Sequence, residues 1–291
     1  IGQATSPDGL RSTLVVVPAT GATRPLQSHL VNDGGSFDGI TVAPDRLYWM
    51  HTVSDADGHA TASLWTADRS GGMPRQLTAD VGQPLFYGSA YDAQLVDGRL
   101  YWTAARPGRP DQTELRSVSA GGGPVTVRVL DGPWAMAAWP WLDTAANAIG
   151  APIRLFDLTS GATVEARVPA SRQVSCGRTW CRIIPAGGTG DGETDLIRPD
   201  GSDLRRIGGA TATPIASDVA LRDRFEVLLS TVVSNATTTV SRLTVYDIAH
   251  RREVLLSPAA TSAAARGDFV WWSTGDQETL AWHGLDLRTL D

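Results

Sequence analysis

Three aspartates occupy comparable places along this 291-residue chain: Asp38 in Phe37-Asp38-Gly39, Asp92 in Tyr91-Asp92-Ala93 and Asp218 in Ser217-Asp218-Val219. Each opens a stretch that reads as the first strand of a repeating unit. Carboxylates gathered from such starts would make an oxygen-rich site for a hard cation such as calcium, or would orient a polar substrate. The competing role is local, because an aspartate at a turn accepts hydrogen bonds from nearby main-chain N–H groups. Trp134 and Trp139, in Gly132-Pro133-Trp134-Ala135-Met136-Ala137-Ala138-Trp139, offer flat apolar faces that suit a ligand such as a sugar. They serve equally as wedges between neighbouring sheets. Trp49, Trp102 and Trp271 stand at repeat positions and are expected to be structural.

Other catalytic signatures are missing. The five histidines (His29, His51, His59, His250 and His283) are scattered without a metal-ligand spacing, and no Gly-x-Ser-x-Gly nucleophile elbow occurs. The two cysteines, Cys176 and Cys181, are separated by four residues that include Gly177 and Thr179. A tight hairpin there would face the two Cβ atoms at the short distance a disulfide needs. The pair has the wrong spacing for a Cys-x-x-Cys redox motif and lacks companions for zinc. A disulfide is the expectation, and with it an extracytoplasmic location; two buried free thiols are the alternative.

Composition narrows the partners. Acidic residues outnumber basic ones, 31 to 25, for a net charge of -6. No basic run exists to hold phosphates, so nucleic acid is not expected. No apolar stretch reaches the roughly 20 residues that cross a bilayer as a helix. All 25 basic residues are arginine, which points to a high-GC genome such as an actinobacterial one. Residue 1 is Ile rather than Met, as expected of a processed product.

The elements that must position these residues are strands. Asp45-Arg46-Leu47-Tyr48-Trp49 recurs as Gly98-Arg99-Leu100-Tyr101-Trp102, more loosely as Asp268-Phe269-Val270-Trp271-Trp272, and again at Asp223-Arg224-Phe225-Glu226-Val227. Five steps from Leu47 to Phe269 average about 44 residues, the period of a four-stranded propeller blade. No segment has a helical period over ten or more residues. The expected fold is all-β: one six-bladed β-propeller domain over residues 1–291, with four-stranded antiparallel blades. Six blades fall near 36–79, 88–131, 132–170, 172–209, 213–257 and 261–291, the last completed by residues 12–28. Ser12–Pro18 is expected to pair with the C-terminal blade and close the ring, and the three aspartates would then converge on one mouth of the central channel.

Leu64-Trp65-Thr66-Ala67-Asp68 followed by Gly71-Gly72-Met73-Pro74-Arg75-Gln76-Leu77-Thr78 resembles the blade signature of the TolB-like propeller repeat. Pro199-Asp200-Gly201-Ser202-Asp203-Leu204-Arg205-Arg206-Ile207 is similar to a degenerate copy, and Ser6-Pro7-Asp8-Gly9 to the same family's turn. The resemblance implies a six-bladed propeller of a kind shared by periplasmic interaction proteins and peptidase propellers. Two functions follow as expectations. The first is a non-catalytic, monomeric extracytoplasmic scaffold that binds a protein or a cell-envelope ligand. The second is a metal-dependent lactonase or similar hydrolase using the channel-mouth carboxylates. Lactonases of that kind add Glu and Asn to the metal shell, and Asn32, Asn147 and Asn235 do not follow inner-strand starts as such a shell requires.

Overall fold

The computed structural model describes residues 1–17, 22–54, 57, 59–144, 152–167, 173–184, 194–209, 211–216, 218–234, 239–276 and 278–290. Its strands form seven antiparallel sheets in chain order, the blade repeat of a β-propeller. The first holds β1 (Gly2–Thr5), β2 (Arg11–Val16) and β3 (Arg24–Leu30). The second holds β4 (Ser36–Val42), β5 (Arg46–Ser54), β6 (Ala60–Asp68) and β7 (Arg75–Thr78). The third gathers β8 (Gln83–Pro84), β9 (Ala93–Val96), β10 (Arg99–Ala105), β11 (Gln112–Ser119) and β12 (Thr126–Asp131).

The fourth sheet runs β13 (Ala135–Met136), β14 (Trp141–Asp143), β15 (Arg154–Asp157), β16 (Thr163–Glu165). The fifth runs β17 (Gln173–Cys176), β18 (Cys181–Ile184), β19 (Thr194–Ile197), β20 (Arg205–Ile207). In the sixth are β21 (Ala212–Pro214), β22 (Phe225–Ser234), β23 (Thr239–Asp247) and β24 (Arg252–Ala260). The seventh has three strands, β25 (Ser262–Arg266), β26 (Phe269–Thr274) and β27 (Ala281–Asp286). The chain divides into two compact units, Ile1–Met136 and Ala137–Asp291.

The count of six blades is therefore corrected to seven. The uniform period of about 44 residues fails at the N-terminus, where three short strands make a sheet of their own within the first 30 residues. The segment expected to close the last blade, residues 12–17, does not pair with it. Instead β2 pairs with β1 on one side, Gly2 opposite Val15, and with β3 on the other, Arg11 opposite Leu30. The turn that makes this possible is Ser6-Pro7-Asp8-Gly9: Gly9 N–H donates to the Ser6 carbonyl, Asp8 accepts from Leu10 N–H, and Gly9 takes φ 72°. β1 is short and polar, so its sequence carries no strand signal.

The Arg-Leu-Tyr-Trp motif explains itself in the core. A blade lies between two others, so both faces of its second strand are buried and the run is apolar without alternation. Leu47 and Trp49 pack on Leu14 and Leu26 of the first sheet, while Tyr48 and Met50 pack on Leu100 and Trp102 of the third. Each indole N–H finds an acceptor: Trp49 donates to Gln27 Oε1 and Trp102 to the Val81 carbonyl. The β9–β10 hairpin turns on Asp97-Gly98, both at positive φ (47° and 72°) with Val96 opposite Arg99. That is the two-residue turn whose twist matches paired strands.

Candidate functional site

In the first unit, Asp38 lies on β4, half-buried, and accepts from Ser36 Oγ at 2.5 Å. The β4–β5 register breaks just after it, where Gly39 sits at φ 54° with its Cβ position 3.0 Å from the Phe86 ring. Only a glycine allows that approach, and it brings Thr41 Oγ1 to 2.7 Å from the Ala93 carbonyl. β4 and β9 are thereby neighbours. Asp92, immediately before β9, is buried, and both its carboxylate oxygens accept from Tyr87 N–H at 3.1 Å.

In the second unit, Asp218 is buried beside a salt bridge that sequence reasoning missed. Glu226 on β22 is 0% exposed and accepts from Arg182 Nη1 at 3.2 and 3.3 Å and from Ala220 N–H at 2.9 Å. Arg182, on β18, also donates to the Ala216 carbonyl at 2.9 Å and to that of Asp218 at 3.4 Å. Burial pushes the Glu226 carboxyl up, Arg182 opposes that rise, and the Asp218 charge adds to it. The segment so held is tight: Ala220, Arg222 and Asp223 all have positive φ, at 51°, 57° and 57°. Such conformations persist in non-glycine residues when the surroundings over-determine them. The signal in the sequence was a carboxylate inside the apolar run Phe225-Glu226-Val227-Leu228-Leu229.

The tryptophans separate by role. Trp134 is buried, its main-chain N–H on Thr113 Oγ1 and its indole N–H on the Asp131 carbonyl, both at 2.8 Å. Trp139 is half-buried. Trp49 and Trp102 are fully buried as expected, but Trp271 is 39% exposed. The reason lies in strand alternation: Val270 and Trp272 face the sixth sheet, which turns Phe269 and Trp271 to the other side.

Cys176 and Cys181 are joined by a disulfide, directly opposite each other on β17 and β18 with Cα atoms 4.0 Å apart. Among the described residues, no group of three or more His, Cys, Asp or Glu side chains is gathered for a metal ion. Asn147 and the Asn235-Ala236-Thr237 sequon lie outside the described residues.

No family model and no curated protein matches the chain. Solved structures do. Prolyl oligopeptidase B from Galerina marginata is similar over 96% of this chain and 45% of its own, with 13% identity and a TM-score of 0.52. The acylaminoacyl peptidase of Pyrococcus horikoshii is similar over 87% of this chain and 45% of its own, at 8% identity and a TM-score of 0.53. TolB from Acinetobacter baumannii also aligns, over 85% of this chain and 76% of its own, with 9% identity and a TM-score of 0.37. The chain spans under half the length of either peptidase. At these identities the likeness is one of fold, and the fold is a β-propeller.

Proposed function

We propose that this protein is a non-catalytic binding scaffold, extracytoplasmic, which docks a protein partner on the outward face of its last sheet. One observation carries the reading. In each unit a sheet covers its forward face with the next: the first with the second, the second with the third, the fourth with the fifth. The fifth is covered by the sixth and the sixth by the seventh. On the seventh, Phe269, Trp271 and Trp282 are 48%, 39% and 62% exposed, and they share one face because Trp282 stands opposite Ser273 and Gly284 opposite Trp271. Exposed aromatic clusters of this kind are the usual core of a protein interface.

The compartment rests on the disulfide, a bond that persists where thiols are not kept reduced. No helix among the described residues is long and apolar enough to cross a membrane. The hydrolase reading has less to stand on. Asp92 accepts from a main-chain N–H, and Asp38 accepts from Ser36. A photo-crosslinking residue at position 282 tests the proposal: a discrete adduct that excess wild-type protein competes away, and the Trp271→Ser/Trp282→Ser variant does not, is expected. No adduct, or the same adducts from a crosslinker at the exposed Val254, refutes it.

A further inference from the structure

His29 on β3 and His51 on β5 are 7% and 8% exposed. Their rings cluster with Phe37 of β4, His51 stacked on both Phe37 and His29 and His29 tilted by 36° to Phe37, with centroids 4.7 Å (His29–Phe37), 4.8 Å (Phe37–His51) and 5.5 Å (His29–His51) apart. His29 Nδ1 and His51 Nε2 are buried without a hydrogen-bond partner. Buried polar nitrogens are ordinarily satisfied, so two orphans in one cluster call for an explanation. Phe37 belongs to the apolar cluster formed with Leu14, Leu26, Leu47 and Trp49, which joins the first sheet to the second.

We infer that this cluster of rings is an acid-sensitive latch between the first and second sheets, closed while the His51 imidazole is neutral and loosened when it gains a proton. The chemistry is set by what surrounds the rings. Charged groups on the adjoining elements are Arg11 on β2, Arg24 on β3, Asp38 on β4, Arg46 on β5, Asp68 on β6 and Asp33 in the turn between β3 and β4; β1 carries none. Of these only Asp33 acts on His51, favouring its cation, while burial and His29 act more strongly against it. Burial, with His29 beside it, therefore holds the His51 pKa below the ordinary histidine range.

Asp33 supplies the mechanical link. Its carboxylate accepts from Leu30 N–H at 3.0 Å and Gly35 N–H at 2.8 Å, closing the turn of residues 31–33 that joins the two sheets. A Cβ on Gly35 would stand 2.7 Å from both Asp33 Oδ1 and His29 Cγ, so carboxylate and imidazole flank that glycine closely. A cation created in the cluster has Asp33 as its nearest counter-charge, and satisfying it draws the carboxylate off the turn. The sign is that of a base whose charged form the fold disfavours: stability is intact above the unfolded pKa of about 6.5 and falls as pH drops below it.

Hydrogen exchange at pH 7.5 and 5.5, corrected for intrinsic rates, tests this on peptides spanning 24–42 and 46–54. Wild type is expected to lose protection there at the lower pH. His51→Phe and His51→Gln are expected to keep it, whereas the control His283→Gln behaves as wild type. Unchanged wild-type protection, or an equal loss in all the variants, overturns the latch. Melting curves at pH 7.5 establish beforehand which variants fold, and the two substitutions at His51 keep the test open if one does not.

Discussion

The Arg182–Glu226 pair shows how a charged group can define local structure without taking part in chemistry. A carboxylate with no exposure is tolerable because a guanidinium and a main-chain N–H meet it. Removing one partner strands the other, so Arg182→Met is expected to cost about 3–5 kcal/mol. Arg182→Met combined with Glu226→Met should recover much of that loss, as read from melting temperature and urea midpoint. Asp247 makes a second residue-scale case. Arg224 and His250 donate to its nearly buried carboxylate, along with the N–H groups of Ala249 and His250. These bonds, led by that of Arg224, hold its pKa well below the usual carboxylate range. An acid depressed by folding contributes stability above its unfolded pKa, near 3.9, and loses that contribution as pH falls. Asp247→Asn should therefore destabilise by roughly 1.5–3 kcal/mol at neutral pH, and the gap between its melting curve and that of wild type should narrow steadily as pH falls below the unfolded value.

At the scale of the element, the strands that were legible were those carrying the repeated Arg-Leu-Tyr-Trp motif, because a second strand buried on both faces must be apolar throughout. β1 was not legible: Gly2-Gln3-Ala4-Thr5 has no apolar periodicity, and only its pairing with Ser12–Val15 makes it a strand. Two-residue strands such as Gln83–Pro84 and Ala135–Met136 are defined by their neighbours in the same way. The blade count went astray for that reason. The β17–β18 hairpin was legible, since Gly177 and Thr179 between the cysteines already implied a turn. Its disulfide closes a very short loop, so the loop-entropy model gives a stabilisation of only about 2 kcal/mol. Cys176→Ser/Cys181→Ser is expected to remain folded with a lowered melting temperature; complete unfolding would show that the bond does more than restrict the open chain.

At the scale of the whole molecule, the sequence disclosed the propeller class but not the surface on which the functional proposal rests. Asp38, Asp92 and Asp218 were conspicuous because they recur; Asp38 accepts from Ser36 Oγ and Asp92 from Tyr87 N–H. Trp271 stands at the same repeat position as Trp49 and Trp102 yet is 39% exposed where they are buried. Its exposure follows from the alternation of β26, which sends Val270 and Trp272 toward the sixth sheet and Trp271 to the opposite face.

The most direct measurement is a comparison of crosslinking yield from position 282 in otherwise wild-type protein and in the Trp271→Ser/Phe269→Ser background. If the seventh sheet's face is a docking surface, the wild-type background gives one saturable adduct and the double substitution reduces it at least tenfold. The melting temperature stays within a few degrees, because both side chains are already exposed. An adduct unaffected by removing Phe269 and Trp271 would contradict the account, as would the absence of any saturable adduct.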